Sequence, residues 1–352
     1  PALGAGGVVY AVVKEGALVA LDGATGAVRW DYEMKSEIEL KTAPVIDGNG
    51  TVYVVDSEGV VHAVNRNGST RWKSRIGGAY SSVTLSRDDS TLYIGSMEKG
   101  AEGEGKDKDK YDVYGLRAIS ASDGRVLWQS PVKEKLTAPA IGADGTLYVG
   151  SDTGRLLALS PVKGALKWSV DDKKCRCGEW KKVPETPAIG PGGSLLFGTY
   201  YGLLVSVSKT GQILWSLNLG DKIAASPVID ANGVAFVATR EGAVMAIDAT
   251  GYTLWSVSLA DRAYSGIAIG CQGSVYVGTK YGQYYSLGEN YGCGCGAPST
   301  DADRDGVADC RDECPTDPNK VEPGICDCGE SERDQDTDGV PDCVDGSPRD
   351  PD

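Results

Sequence analysis

Between residue 1 and about residue 290 the chain alternates short apolar bursts with turn signals, and the alternation itself repeats. The segments APVIDGNGTVYVVDS (43–57), APAIGADGTLYVGS (138–151), TPAIGPGGSLLFGT (186–199) and SPVIDANGVAFVAT (226–239) superpose without gaps. SSVTLSRDDSTLYIGS (81–96), SGIAIGCQGSVYVGT (265–279) and PALGAGGVVYAVV (1–13) fit the same frame, which makes seven copies. A second half follows each, such as EGALVALDGATGAVRW (15–30) or EGAVMAIDATGYTLW (241–255). The runs are β-branched or alternating, and Asp-Gly, Asn-Gly or Glu-Gly pairs bound them. Such pairs supply the positive φ that hairpin turns require. The pattern predicts three or four antiparallel strands per unit of roughly 40 residues.

A glycine stands four residues before a tryptophan in six copies: Gly26/Trp30, Gly68/Trp72, Gly124/Trp128, Gly164/Trp168, Gly211/Trp215 and Gly251/Trp255. The tryptophan falls on the last strand of its unit, where it can wedge between neighbouring units, so it is expected to serve packing. One such unit cannot bury both faces of its sheet, whereas a closed ring of them can. The fold class expected is therefore all-β, a β-propeller over residues 1–292 with seven blades, eight being the alternative if a unit precedes Pro1. The Pro-x-x, Gly-x-Leu/Val-Tyr-Val-Gly, Ala-Leu-Asp and Gly-x-x-x-Trp elements resemble the pyrroloquinoline-quinone-type propeller family. That resemblance speaks to fold and leaves function open. The seventh copy departs from it, with Cys295 where a tryptophan is due, and a strand from upstream of Pro1 is expected to complete that blade.

Two insertions interrupt the repeat. MEKGAEGEGKDKDKYDV (97–113) is charged and glycine-rich, and is expected to be a mobile hairpin loop. Its lysines alternate with its acids, which disfavours a cation site there. DDKKCRCGEWKKVPE (171–185) carries Cys175, Cys177 and the off-pattern Trp180. Cys-x-Cys is too close for easy mutual bridging, so Cys271 is a candidate partner for one of the two.

The composition changes beyond Gly-Cys-Gly-Cys-Gly (292–296). Residues 297–352 hold 18 acidic against 5 basic residues, a net of −13, whereas the preceding residues are near −1. DADRDGVADCRD (301–312) and DQDTDGVPDCVD (334–345) share one frame, with carboxylates at positions 1, 3, 5, 9 and 12 and glycine at 6. That is the oxygen-ligand spacing of a calcium loop, in which position 7 offers its backbone carbonyl. Carboxylates so crowded repel one another unless a hard divalent cation intervenes, and calcium suits this many oxygen donors better than magnesium. The competing reading is a disordered acidic tail. No helical pattern flanks either loop, and the segment 293–352 resembles the thrombospondin type 3 repeat. The linker CPTDPNKVEPGICDCG (314–329) is similar to its bacterial version. Carried across by position, the resemblance implies two Ca²⁺ ions. The first would take Asp301, Asp303, Asp305, Asp309, Asp312 and the Val307 carbonyl, and the second Asp334, Asp336, Asp338, Asp342, Asp345 and the Val340 carbonyl. Local bridges are expected among Cys293, Cys295, Cys310 and Cys314, and among Cys326, Cys328 and Cys343. The second group is odd in number, because Ser347 stands where a further cysteine is due. A small irregular tail of this kind has almost no apolar core and depends on metal and disulfides.

Ten cysteines point to an oxidising compartment. No basic stripe exists to neutralise phosphates, which excludes nucleic acid as a partner, and no apolar run reaches membrane-spanning length. The single histidine, His62, lies on the strand VVHAV and is expected at the surface or between blades. A multi-histidine zinc centre is excluded. No Cys-Cys pair or c-type haem motif supports a quinone-dependent dehydrogenase, the enzymatic alternative that the propeller resemblance raises. The outer-membrane assembly propeller of Gram-negative bacteria offers a further comparison and lacks an acidic calcium tail. The expectation is thus a non-enzymatic scaffold, extracellular or at the cell surface, with the periplasm as the alternative. Its propeller would associate with protein, another copy included, and its calcium tail would act as spacer or assembly linker. A monomeric module recognising protein or glycan is the alternative, and Tyr200, Tyr201, Tyr281, Tyr284 and Tyr285 are candidates for its interface or for packing between blades.

Overall fold

A computed structural model describes residues 1–13, 16–34, 43–56, 58–79, 81–98, 113–175, 180, 182–183, 185–263, 265–270, 274–287, 302–303, 314–320, 324–337 and 339–350. The first sheet is a meander of β1 (Ala2–Gly4), β2 (Val8–Val12), β3 (Ala17–Asp22) and β4 (Val28–Glu33), paired in that order. Six more sheets follow in chain order over 45–75, 78–129, 140–171, 188–218, 228–258 and 268–287. The third has five strands and the last three. This is a seven-bladed β-propeller with almost no helix, as the repeat predicts. The chain divides into two compact units, residues 1–267 with 278–283, and residues 268–277 with 284–352.

One row of side chains explains the repeat. Tyr10, Ala20 and Trp30 lie in register across β2, β3 and β4. Tyr53–Ala63–Trp72, Tyr93–Ala118–Trp128, Tyr148–Ala158–Trp168 and Phe236–Ala246–Trp255 occupy the same row in other blades. The small central residue leaves room for the outer indole to reach the inner ring. Ring centroids are 5.7–6.0 Å apart at 42–47°, a tilted packing that the aromatic quadrupole favours. The register slips by one residue just after the central position in each case, a β-bulge that turns the outer strand.

In five of the six pairs the glycine serves the blade before it, whereas a Cβ on Gly26 would meet nothing within 4 Å. A Cβ on Gly68 would stand 3.0 Å from the Trp30 ring, and one on Gly124, Gly164, Gly211 or Gly251 would stand 2.6–2.9 Å from Trp72, Trp128, Trp168 or Trp215. All five have φ between +61° and +91°, which glycine alone adopts without strain. Beside this flat seat, the indole N–H of Trp30, Trp72, Trp168 and Trp215 donates to the carbonyl of Arg66, Ala121, Lys209 and Ala249 at 2.8–3.1 Å. The tryptophans are the blade-to-blade packing residues that their position suggests.

The insertions differ from expectation at their ends. Met97, Glu98 and Val113 prolong two eight-residue strands, Thr91–Glu98 and Val113–Ser120, because the hairpin continues to pair past the usual turn. The rest of the 97–113 loop lies outside the described residues. In the second insertion a short helix, α1 (Asp172–Cys175), leads to Trp180, which has no exposed surface. Trp180 meets Phe197 edge-on at 5.2 Å in a cluster with Val170, Val183 and Val205, and so fills the junction of the fourth and fifth blades. The suggested bridge to Cys271 lies outside the described residues.

Candidate functional site

His62 is buried, not at the surface, and it lies between blades. The strand Val60–Val64 has neighbours on both of its faces, so alternation along it carries no exposed side. The ring Nε2 is 3.0 Å from Asp56 Oδ2 and Nδ1 is 3.1 Å from the Tyr32 hydroxyl, which accepts from Thr70 Oγ1 at 3.3 Å. A carboxylate can only accept here, so the proton of the neutral ring sits on Nε2 and Tyr32 donates to Nδ1. Burial pushes the His62 pKa down, and Asp56 opposes that shift. Every polar atom of the ring is engaged within the wall, which makes it a structural relay between the first two blades.

Exposed chemistry gathers at one end of the propeller. Adjacent strands run antiparallel, so the turns between second and third strands emerge at the same end as the loops joining blades. In the fourth to seventh blades the two are tied by one repeated bond, in which the N–H of Asp152, Tyr200, Arg240 or Lys280 donates to the carbonyl of Lys135, Lys182, Lys222 or Arg262. Tyr200, Tyr201 and Tyr281 are 41%, 45% and 77% exposed there, which fits an interface and not packing between blades. Tyr284 is exposed and Tyr285 half-buried. Lys222 Nζ donates to the Tyr200 hydroxyl at 3.1 Å and lies 4.3 Å from its ring. Lys222, with Arg240 and Lys182 beyond it, holds the Tyr200 phenol below its usual pKa.

The opposite end carries an open groove of about 830 Å³ on the fourth to sixth blades. Ile141, Ile189 and Ile229 reach it from equivalent inner strands, with Trp168 on its wall and Lys167 and Lys209 at its rim.

In the tail, half of the expected calcium ligands are described. Asp334 Oδ1 accepts from the Thr337 N–H at 2.6 Å and Oδ2 from the Gly339 N–H at 2.9 Å, so the backbone folds back on the carboxylate at position 1 of the second loop. Asp342 accepts from the Gln335 N–H at 2.8 Å. Asp345 Oδ1 accepts from the Ser347 N–H, while its buried Oδ2 has no hydrogen-bond partner. Such an orphaned carboxylate oxygen suits a hard cation, as does an all-oxygen donor set. Among the described residues no three acidic, histidine or cysteine side chains stand together at ligating distance. Asp303, Asp336 and Val340 are described, whereas Asp301, Asp305, Val307, Asp309, Asp312 and Asp338 lie outside the described residues.

Two disulfides join the tail, Cys314–Cys328 and Cys326–Cys343. Cys314 therefore pairs downstream and not within the 293–314 group, which gives the odd downstream cysteines a fourth member. Cys314, Cys326, Cys328 and Cys343 are thus all bridged. Cys293, Cys295 and Cys310 lie outside the described residues.

A family model described as outer membrane protein assembly factor BamB matches residues 1–101, 114–178 and 173–262. The chain belongs to this family. The BamB of Nitrosomonas eutropha is 31% identical over 110 residues, which is 30% of this chain and 24% of that protein. The chain therefore aligns with about a quarter of that relative's length. The crystal structure of BamB from Moraxella catarrhalis superposes with a TM-score of 0.62 at 19% identity, covering 81% of this chain and 80% of that one. The quinohemoprotein alcohol dehydrogenase of Comamonas testosteroni does so with a TM-score of 0.59 at 13% identity, covering 78% and 62%. At such identities the superpositions speak for the fold alone.

The BamB match stops at residue 262, short of the acidic segment. A missing calcium tail was thus no reason to set the outer-membrane assembly propeller behind other comparisons. The loop-end cations carry no motif of their own. Their signal was available in the lysine or arginine six or seven residues before the inner-strand isoleucines Ile141, Ile189, Ile229 and Ile269.

Proposed function

We propose that this BamB-family propeller is a non-catalytic scaffold that binds protein outside the cytoplasm, at the cell envelope or cell surface, with its acidic tail as a calcium-stabilised spacer or assembly linker. The family match over most of the propeller carries the reading, because the relatives are named as assembly factors. The exposed tyrosines at the loop end support it, since tyrosine gives contact area at small entropic cost. In the tail, Asp334, Asp336, Asp338, Asp342, Asp345 and the Val340 carbonyl would hold one ion, and the equivalent residues of 301–312 the other. The ion would neutralise carboxylates that otherwise repel. The Asp334 loop and the orphaned Asp345 oxygen support that assignment.

Calorimetric titration of the full chain with calcium tests the tail. Two sites with Kd in the range of about 10⁻⁴ to 10⁻³ M are expected. At Kd about 0.1 mM and about 1 mM calcium, each occupied site adds about 1.4 kcal/mol. Asp334→Asn with Asp345→Asn should remove one site, and absence of heat from the wild type refutes the assignment. Light scattering with and without chelator separates a calcium-dependent assembly from a monomeric module for protein or glycan, the second reading that the exposed tyrosines also fit. Dye reduction after reconstitution with the quinone and an alcohol panel would overturn the non-catalytic reading.

A further inference from the structure

The loop end of the fourth to seventh blades carries an arc of basic side chains, interleaved with acids, that folding does not require. Lys135, Lys182, Lys222 and Arg262 occupy one repeated position, the residue whose carbonyl accepts from the turn. In the third blade the corresponding pair is Gly78 and Met97, joined through the same ladder. A side chain at this position is therefore free to vary, because the bond uses only the main chain. Four successive blades nonetheless place a cation there, and Arg240 and Lys280 add two more at the facing turn position.

The acids at this end are mostly engaged locally. Asp221 accepts from the Lys222 and Glu241 N–H groups, and Asp261 from those of Arg262 and Tyr281. Glu134 pairs with Arg155 at 2.5 Å and Glu241 with Arg262 at 3.1 Å. Asp152 is exposed, and burial raises the pKa of the half-buried Glu185 while Arg240 opposes that shift. Among the described residues, Lys135, Lys182, Lys222, Arg240 and Lys280 form no salt bridge. Lys135, Lys222 and Lys280 lie instead over the rings of Tyr114, Tyr200 and Tyr281 at 4.6, 4.3 and 5.5 Å. Cations held over tyrosine faces, with no carboxylate of their own, make a surface suited to an acidic polypeptide.

The chain itself supplies such a polypeptide, since residues 297–352 carry a net charge of −13 against near neutrality elsewhere. We infer that the loop end, centred on Lys182, Lys222 and Lys280, binds the acidic tail of a second copy of this chain. The inference rests on the scaffold reading and names its partner. Because the two surfaces differ, the contact is heterologous and repeats head to tail.

The test exploits that asymmetry. One full-length variant reverses the arc (Lys182→Glu, Lys222→Glu, Lys280→Glu), and another reverses exposed tail positions away from the calcium frame (Glu330→Lys, Asp350→Lys). Sedimentation at about 1 mM calcium should show the wild type assembling, and about 0.5 M salt should weaken the assembly by screening. Each variant alone should associate at least about tenfold more weakly, the scale of several lost ion pairs. An equimolar mixture should form a 1:1 complex that cannot extend, since the intact tail of the first fits the intact arc of the second. Circular dichroism and an unchanged unfolding midpoint confirm that both variants fold. A wild type that stays monomeric at about 0.1 mM overturns the inference, while a protein-binding scaffold with another partner survives. Assembly that persists in both variants overturns it too and leaves self-association standing on another surface.

Discussion

If the glycine of one blade is the seat for the tryptophan of the blade before it, two glycine substitutions in the same blade should differ in a calculable way. Gly211 and Gly220 both have positive φ, +86° and +75°. Placing alanine at either forces a left-handed conformation that costs about 1–2 kcal/mol. A Cβ at Gly220 meets nothing within 4 Å, whereas a Cβ at Gly211 would lie 2.9 Å from Trp168 Cε3 and 3.0 Å from Cδ2. The indole would have to retreat while tethered to the Lys209 carbonyl at 3.1 Å and packed 5.9 Å from Tyr148. Overpacking of this kind costs about 1–3 kcal/mol.

The backbone strain is common to both variants, so the difference between them isolates the packing contact. An unfolding entropy of about 2.1 cal/mol/K per residue over about 290 residues is about 0.6 kcal/mol/K. Gly211→Ala should therefore lower the thermal midpoint by about 2–5 °C more than Gly220→Ala, measured by calorimetry. In a Trp168→Leu background the extra loss should shrink, as coupled neighbours require. Equal shifts for the two alanines in the wild type would refute the seat.

Three further outcomes are expected. The buried His62 has a pKa below its ordinary 6.5, so between the two values the unfolded chain binds more protons than the folded one. Its contribution to stability is complete above about pH 6.5 and is lost as pH falls through the folded value. Denaturant titrations should show that slope flattened in His62→Gln, which cannot titrate, and an unchanged slope would remove His62 as its cause. Trp180→Ala empties a site with no exposed surface and should cost about 3–5 kcal/mol in the same titrations, whereas a loss under 1 kcal/mol would mean that the insertion is not part of the core. Reduction should abolish amide protection around Cys314 and Cys326 and leave the blade strands protected by hydrogen exchange, with proteolytic peptides of the oxidised chain linked 314–328 and 326–343.

The propeller was legible because its repeat writes one set of contacts over and over. Glycine four before tryptophan marks each outer strand, and tyrosine-alanine-tryptophan rows fix the register. That five of these glycines seat the preceding blade's tryptophan was not legible, because a spacing within one copy says nothing about which copies touch. His62 illustrates a second loss of information. Val61, His62, Ala63 and Val64 are all buried, so a strand sandwiched between blades has no outward face for alternation to reveal. Trp180 lay inside an insertion and outside the repeat, yet a large aromatic followed by Val183 in an otherwise charged stretch was the signal that the segment turns inward. In the tail the cysteine count suggested local bridges. Cys326–Cys343 falls within its expected group, whereas Cys314 leaves the other to reach Cys328, and composition cannot predict the crossing of the two bridges that results.

The two segments hold together by different physics, and this bears on where the protein can work. The blades bury continuous apolar rows, so the stability of their described part comes from area removed from water. In the described part of 297–352 the buried residues are Cys314, Cys326 and Asp317, two of them half-cystines. Lys320, whose ammonium donates to the Cys326 carbonyl at 2.6 Å and pairs with Glu332 at 3.4 Å, takes the place of an apolar centre. Loops of 14 and 17 residues closed by disulfides are each worth about 3 kcal/mol in chain entropy. The two interleaved bridges therefore dominate the order of the described part of the segment. Under the reducing poise of a cytosol that contribution disappears. A working tail thus requires an oxidising compartment, a conclusion that the stability of the propeller could not supply.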